Sequence, residues 1–293
     1  MDFNTAEELL EICRKENKPI SEIMRLREII YGEINADEVD SKMKKSLEIM
    51  RNSAHKPLTD VVRSIGGMIG GEASKLEKRR IEGKSICGNV LTKALIYSQA
   101  VLEVNASMGV IVAAPTAGSA GVLPAVLFAL QEEFNLDDET LLKGLFTAGA
   151  VGCLLMKNAS VSAAEAGCQA EIGSAAAMAS AAAVEIMGGT PEQCLDAASI
   201  TISNMLGLVC DPIAGLVEMP CQSRNAAGAS NAITSTEMVL AGIKAAVPFS
   251  EMSDAMYRVG KELPYELRET ALGGCASTPT GCALKCKIFG GCN

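Results

Sequence analysis

Aromatic side chains are so scarce in this chain that its core must be built from small and branched aliphatic residues. Only 3% of its 293 residues are aromatic and none is Trp, although 48% are hydrophobic. The run 163–184 is especially dense in Ala, Ser and Gly. Such side chains let helices approach closely, whereas they fill a sheet sandwich poorly. We therefore predict an all-α fold: a compact multi-helix domain over residues 55–293 that follows an N-terminal helical arm over residues 1–54.

Capping residues mark several of the predicted helix starts. Thr5 precedes an acidic first turn, Asn35 or Asp37 can cap a helix over 38–50, and Thr190 stands before Pro191 at a first helical position. Further helices are expected over 88–105, 141–156, 163–184 and from Pro191 to Leu208.

Charge and hydropathy limit the classes of partner. A formal net charge of -9 and a pI near 4.9 argue against nucleic acid, which requires a concentrated basic surface. The first residues carry no basic and apolar signal pattern, so a cytoplasmic location is expected. A long uncharged run, 108–131, contains Pro115, Pro124 and several glycines, and this favours a buried loop and helix over a membrane span.

Three of the eleven cysteines differ from the rest in their surroundings. Cys168, Cys210 and Cys221 each lie beside Gly or Pro and close to a carboxylate or an amide, a context typical of element ends. The odd number and scattered positions of the cysteines do not resemble a disulfide framework. Four others are interpreted as small buried hydrophobes: Cys13, Cys87, Cys153 and Cys194.

The spacing of these three cysteines leaves the identity of a bound metal open. Separations of 42 and 11 residues (210 − 168 and 221 − 210) match neither a zinc finger nor a ferredoxin run. His55 is the only histidine and is interpreted as a surface or capping residue, so a His-rich zinc site is excluded. Three thiolates without nearby histidine suit an iron–sulfur cluster better than a catalytic zinc ion.

Two glycine-containing segments and one lysine are further candidates for ligand binding. The segment 64–74 is either a tight turn or a loop that lines a site, and it lacks the order of a P-loop. In the segment 113–125, backbone amides with the hydroxyls of Thr116 and Ser119 form either a carboxylate cradle or a structural turn. Lys157 follows an apolar helix and is a helix end-cap, a contact for a substrate carboxylate, or a Schiff-base lysine.

Four motifs in the same order resemble the alpha chain of iron–sulfur-dependent L-serine dehydratase, also called L-serine ammonia-lyase. The resemblance extends from about residue 65 to the Gly273-Gly274 pair and, more loosely, over the N-terminal helices. The motifs are Pro115-Thr-Ala-Gly-Ser-Ala-Gly121, Lys157-Asn-Ala-Ser-Val-Ser-Ala-Ala-Glu-Ala-Gly-Cys-Gln-Ala-Glu171, Cys210-Asp-Pro-Ile-Ala-Gly215 and Pro220-Cys-Gln-Ser-Arg-Asn225.

The resemblance implies a helical iron–sulfur catalytic domain with a cysteine-rich C-terminal tail. It implies a [4Fe-4S] cluster whose ligands include Cys168, Cys210 and Cys221. A tail cysteine can supply the fourth ligand in the family, and Cys282 is the candidate here because its distance from Gly274 fits best. The other tail cysteines remain open as alternatives: Cys275, Cys286 and Cys292.

The resemblance also implies a partner. Family members work with a beta region that carries a Ser-His motif, and this chain has no such motif. We therefore expect a separate beta subunit, in a heterodimer or a higher alpha–beta assembly, and an alpha chain that is inactive or nearly so alone.

The implied reaction converts L-serine into pyruvate and ammonia. A cluster iron would act as a Lewis acid on the serine hydroxyl while a base removes the Cα proton, and the resulting aminoacrylate would hydrolyse. Strictness for L-serine over L-threonine and the identity of the base stay open, the base being Lys157 or a histidine of the partner. The site candidates are Lys157 and Asn158 for catalysis and, for substrate binding, Thr116, Gly118, Ser119 and Arg224.

Two other classes of function remain as alternatives. A pyridoxal-phosphate lyase would use Lys157 as its Schiff-base residue, although no glycine-rich phosphate cup follows a strand in this sequence. A non-catalytic helical subunit with a structural metal cluster would show no response of that cluster to serine.

Overall fold

The fold is all-α, as predicted from the composition. The computed structural model describes residues 2–291, and these residues form twelve α-helices and no β-strand. The helices are α1 (Ala6–Glu16), α2 (Ile20–Gly32), α3 (Ala36–Thr59), α4 (Glu72–Ile81), α5 (Gly88–Ala106), α6 (Val122–Phe134), α7 (Asp138–Asn158), α8 (Ala163–Ile186), α9 (Pro191–Ser203), α10 (Cys221–Leu240), α11 (Phe249–Glu262) and α12 (Pro279–Phe289).

The predicted capping residues are confirmed. Thr5 and Glu8 form a capping box at the start of α1, Asn35 caps α3, and Thr190 caps α9. The predicted end of α9 at Leu208 is wrong, since the helix stops at Ser203. The chain turns there because Gly207 has a positive φ of 81° and donates its N–H to the side chain of Gln169.

Helix α8 forms the centre of the fold. Nearly all its side chains are buried, and it packs against α6, α7, α9, α10 and α11. Its many alanines present little bulk, so five helices can surround it at short distance. The Ala-, Ser- and Gly-rich run thus serves the close packing that its composition predicts.

The N-terminal helices share the core of the remaining chain. Phe3, Leu9, Ile20 and Ile23 are fully buried and belong to the same apolar cluster as the central helices. Helix α3 continues without interruption across residue 54. The division into an arm over 1–54 and a domain over 55–293 stays a prediction.

One described helix, α7, is long and apolar enough to cross a membrane by length and composition. Two thirds (67%) of the apolar 18-residue stretch that meets this test is buried inside the protein. Helices in the core of a globular protein pass the same test.

The single histidine lies in a polar cluster between α3, α5 and α6. His55 Nδ1 donates to the carbonyl of Arg51 (2.8 Å), and its Nε2 lies 3.5 Å from Glu132 Oε1. Tyr97 also donates to Glu132 (2.5 Å), and Lys93 Nζ lies 3.1 Å from its other oxygen. The interaction with Glu132 raises the pKa of His55, while His55, Tyr97 and Lys93 lower the pKa of Glu132 to about 2.

Candidate metal centre

Cys168 lies where helix α8 is interrupted. Ala166 and Gly167 leave helical geometry, and Gly167 adopts φ 74° and ψ 179°, a conformation that is essentially restricted to glycine. A Cβ atom on Gly167 would lie 2.8 Å from the carbonyl oxygen of Leu208. Regular helix resumes at Cys168, so this thiol lies at the N-terminus of the long part of α8.

Cys210 and Cys221 also lie at element ends, in agreement with the sequence analysis. The backbone of Cys210 pairs with the C-terminal segment, because its N–H donates to Leu267 O and its carbonyl accepts from Glu269 N, both at 2.8 Å. Cys221 is the first residue of α10 and follows the cis peptide bond to Pro220. Two of the three thiols therefore lie at positive helix N-termini, which stabilise a thiolate.

The three cysteines converge in the buried interior. The Sγ atoms of Cys168 and Cys210 lie within 4.8 Å of each other and of a carboxylate oxygen of Glu171. Contact with Cys168 and burial raise the pKa of Cys210, and burial together with Cys168 and Glu171 raises the pKa of Cys221. Cys168, Cys210 and Glu171 thus form one group of donor atoms, and Cys221 lies near enough to Cys168 and Glu171 to interact with them electrostatically.

Arg224 supplies the positive charge beside this cluster. Its Nη1 lies 3.5 Å from Cys168 Sγ and donates to the carbonyl of Val209 at 2.9 Å. Its Nη2 forms an ion pair with Asp211 Oδ1 at 2.6 Å. Burial lowers the pKa of Arg224, but Cys168 and Asp211 raise it by more than burial lowers it. The net pKa is therefore raised, and the guanidinium stays charged.

The predicted substrate-binding loop touches the same cluster through Glu171. Thr116 Oγ1 donates to Glu171 Oε1 (2.5 Å) and lies 2.9 Å from Ser119 Oγ. At Gly118 a Cβ atom would lie 2.5 Å from Glu171 Oε1, so a side chain at this position would have to displace the carboxylate. Burial raises the pKa of Glu171. The structure therefore brings the loop, the carboxylate and the cysteines together.

Two further polar side chains hold the surrounding loops. Asn225 accepts from the N–H of Gly121 (3.0 Å) and donates to the carbonyl of Gly118 (2.7 Å). The carboxylate of Glu218 accepts from Ser64 Oγ and Gly66 N, both at 2.6 Å, and from the N–H of Met68 at 2.9 Å. The paired-glycine loop thus wraps a carboxylate that lies three residues before Cys221.

Lys157 and Asn158 contact a different part of the protein. Lys157 Nζ donates to Phe3 O (3.1 Å) and to Asn4 Oδ1 (2.7 Å), and Asn158 Nδ2 donates to the carbonyl of Asn4 (2.8 Å). Lys157 also lines an apolar cavity of about 620 Å³ whose wall includes Pro115. These hydrogen bonds connect the N-terminal segment to the end of α7. The catalytic roles of Lys157 and Asn158 stay predictions.

The tail cysteines occupy different positions relative to the cluster. The N–H of Cys275 donates to Asp211 Oδ2 at 2.6 Å. Cys282 lies on α12, which packs against residues 213–215, and its side chain is exposed. Cys286 lies on the same helix, whereas Cys292 lies outside the described residues. The assignment of Cys282 as fourth ligand stays a prediction.

Sequence reasoning left three carboxylates of this region without a role. They are Glu171, Asp211 and Glu218, which are all buried. Each lies within three residues of one of the three cysteines. That spacing is the signal which could have identified them, because residues one to three apart in sequence lie close together in a helical turn or in a loop.

The donor set fits a metal centre with sulfur ligands. Among residues 2–291, only the ligand atoms of Cys168, Glu171 and Cys210 form a group of three or more potential donors within metal-binding distance. Thiolates favour zinc and iron–sulfur clusters over hard cations. The protein is thus an all-α protein with a buried cysteine site suited to such a metal.

Comparison with known proteins identifies the family. The family model described as serine dehydratase alpha chain matches residues 8–276. The chain is 49% identical over 289 residues to the probable L-serine dehydratase, alpha chain, of Bacillus subtilis, covering 99% of this chain and 96% of that relative. It is 47% identical over 279 residues to the L-serine dehydratase, alpha chain, of Peptoniphilus asaccharolyticus, with 95% and 96% covered.

A longer relative is also similar. The chain is 38% identical over 294 residues to the L-serine dehydratase of Helicobacter pylori strain J99, where the match covers 97% of this chain and 62% of the relative. The chain belongs to the serine dehydratase alpha chain family.

Proposed function

We propose that this chain is the cluster-bearing alpha subunit of an L-serine ammonia-lyase that converts L-serine into pyruvate and ammonia. The observation that carries the proposal is the grouping of Cys168 and Cys210 with Glu171, which accepts from a loop rich in hydroxyl groups and lies close to Cys221. The two relatives at 49% and 47% identity are named as a probable L-serine dehydratase, alpha chain, and an L-serine dehydratase, alpha chain.

Cys168, Cys210 and Cys221 would hold a [4Fe-4S] cluster, with Cys282 as the proposed fourth ligand. When bound, a cluster with one exchangeable iron site supplies a Lewis acid for the hydroxyl group of serine. The chain itself provides two helix N-termini and the Arg224 guanidinium, which offset the negative charge of the thiolates. Burial excludes water and strengthens these interactions.

Thr116, Gly118 and Ser119 would hold the substrate next to Glu171. The two hydroxyls, which contact each other and Glu171, would donate to the substrate carboxylate, and Glu171 would accept from the ammonium group. Arg224, which lies beside Cys168, would bind the substrate and orient it from that side. Lys157 and Asn158 remain proposed catalytic residues, and the proton at Cα would be removed by Lys157 or by a histidine of the partner.

We further propose that the partner is a separate beta subunit. The relatives of similar length are named alpha chains, and the Helicobacter pylori relative has additional length that this chain does not match. Four apolar side chains in the segments 61–65 and 108–110 are strongly exposed: Val61, Ile65, Met108 and Val110. The backbone of Ile65 lies between Ser64 and Gly66, which bind Glu218, and its N–H donates to Ala106 O (3.0 Å).

Co-purification tests this surface. If the beta subunit covers it, Ile65→Glu should reduce the amount of beta chain recovered with tagged alpha chain at least tenfold, because a charge would be buried in the interface. Ile243→Glu, at another exposed apolar position, is the matched control. Equal recovery of the beta chain with both variants would show that the interface lies elsewhere.

The first test of the whole proposal is anaerobic co-purification with the beta chain, followed by iron and sulfide analysis. About four irons and four sulfides per alpha chain are expected, with one iron site that changes its Mössbauer spectrum when L-serine is added. Cys168→Ala should lose iron and activity, whereas Cys13→Ala, a buried cysteine outside the cluster, should retain both.

Three results would refute parts of the proposal. If the protein is iron-free, deaminates serine and shows a pyridoxal absorption band, the cofactor is not a cluster. The reaction would then use a Schiff base on Lys157. A cluster that does not respond to serine would indicate a structural metal. Loss of iron in Cys13→Ala but not in Cys168→Ala would overturn the ligand assignment.

A further inference from the structure

Asp211 is a buried carboxylate whose two oxygens bind two distant parts of the chain. The residue directly follows Cys210 and is only 3% exposed. Its Oδ1 lies 2.6 Å from Arg224 Nη2 in α10, and its Oδ2 accepts from the N–H of Cys275 at 2.6 Å. A single side chain therefore links the start of α10 to the C-terminal segment.

The contact with Arg224 determines what that guanidinium can reach. Asp211 and the carbonyl of Val209 fix Nη2 and Nη1, and this orientation leaves Nη1 3.5 Å from Cys168 Sγ. An N–H group directed at a ligand sulfur stabilises added negative charge on a cluster and so tunes its reduction potential. Without Asp211, the guanidinium of Arg224 would keep its hydrogen bond to Val209 O but would lose its ion pair.

The contact with Cys275 closes the C-terminal segment over the site. Upstream, that segment is paired with the backbone of Cys210 through Leu267 and Glu269. At Gly274, φ is 57° and a Cβ atom would lie 2.1 Å from Asp211 Oδ2, so the backbone lies directly against the carboxylate. After this contact the chain enters the short turn Gly274–Ser277 and then α12.

We propose that Asp211 is a positioning residue that couples closure of the C-terminal segment to the orientation of Arg224 at the sulfur of Cys168. The segment and the guanidinium adopt their places together because one carboxylate contacts both: Oδ2 accepts a hydrogen bond from the tail and Oδ1 forms the ion pair with Arg224. Breaking a buried ion pair by removing one partner leaves an uncompensated charge, so neither contact persists unchanged without the carboxylate. The part of this inference that concerns the cluster rests on the proposed function, whereas closure of the segment does not.

The test compares Asp211→Asn with Asp254→Asn, which removes an exposed carboxylate paired with Arg258 on α11. In the iron-free chain, peptide-resolved hydrogen exchange should accelerate at least tenfold over 265–278 in Asp211→Asn, with α8 unchanged. After anaerobic reconstitution with the beta chain, a chelator should remove iron from Asp211→Asn about tenfold faster than from Asp254→Asn. Tenfold is the lower end of the usual loss of metal affinity when a contact that orients a metal ligand is removed. The reduction potential of the cluster should become more negative.

Gly274→Ala approaches the same contact from the other side and decides the question if Asp211→Asn does not fold. Its added Cβ should displace the tail from Oδ2 and give the same acceleration of exchange over 265–278. Exchange rates over 265–278 equal to those of Asp254→Asn would overturn the role in closure. Faster exchange together with an unchanged reduction potential and unchanged chelation rate would overturn the coupling to Cys168. Faster exchange in a protein that binds no iron would refute the proposed function and leave closure by Asp211 standing.

Discussion

Replacing Gly167 by alanine should destabilise the protein and displace Cys168. Gly167 has φ 74° and ψ 179°, and holding a residue with a Cβ atom in that region costs about 1–3 kcal/mol. The new Cβ atom would also lie 2.7 Å from Leu263 Cδ1 and 2.8 Å from Leu208 O. Overpacking of this kind costs about 1–3 kcal/mol more, so the free energy of unfolding should fall by roughly 2–6 kcal/mol.

Gly173→Ala is the matched control in the same helix. Its added Cβ atom would meet its nearest neighbour, Met205 Cβ, at 3.8 Å, an ordinary contact in helical geometry. Alanine is favoured over glycine inside a helix by about 1 kcal/mol, so this variant should be neutral or slightly more stable.

Thermal unfolding of the iron-free chain measures the difference between these two variants. At about 2 °C per kcal/mol for a chain of this size, Gly167→Ala should lower Tm by roughly 4–12 °C. After reconstitution, it should also retain less iron, because the break at residue 167 positions the thiol of Cys168. Equal Tm values and equal iron contents for the two alanine variants would refute the role of the helix break.

Three further changes test separate parts of the structure. Thr5→Ala removes the capping box of α1 and should cost about 1 kcal/mol in urea unfolding, with activity unchanged. Glu132→Gln tests the lowered pKa of Glu132, which is about 2 in the folded state against a reference of 4.5. The ionised carboxylate therefore contributes stability above about pH 4.5, and this contribution is lost as the pH falls towards 2. After allowance for solvent screening, the advantage of wild type over the variant in free energy of unfolding should shrink by about 1 kcal/mol between pH 5 and pH 3. Thr116→Val removes the hydroxyl that donates to Glu171 and should raise KM for serine about tenfold or more in the alpha–beta enzyme, whereas an unchanged KM would contradict a role in substrate binding.

The helical fold could be predicted because its causes are local or compositional. Scarce aromatic residues and an alanine-rich run favour close helix packing, and the caps Thr5, Asn35 and Thr190 are side chains that bond their own first turns. Local chemistry of this kind is readable from a few neighbouring residues.

The helix break at Gly167 and the early end of α9 could not be predicted in the same way. Both depend on residues far away in sequence: Gly167 faces Leu208 and Leu263, and the turn after Ser203 is held by Gln169. The glycine beside Cys168 indicated an element end, but the helical pattern over 163–184 gave no sign that the helix breaks at residue 167 and then continues. The loop at Thr116 and the cysteines could be named as separate candidates, but their meeting through Glu171 depends on tertiary structure.

A polar residue directly after each cysteine explains how three distant segments can present their thiols at one point. Gln169 donates to Met256 O (2.9 Å) and accepts from Gly207 N (2.8 Å), while Asp211 binds Arg224 and the C-terminal segment. Gln222 donates to the carbonyl of Gln99 at 3.4 Å.

All three of these residues are buried, and a buried polar group is costly unless it is hydrogen-bonded. Each thiol is therefore adjacent to a backbone position that cannot shift without leaving such a group unpaired. The polar neighbours of the cysteines thus fix the geometry of the site, while the aliphatic core stabilises the helices that carry it.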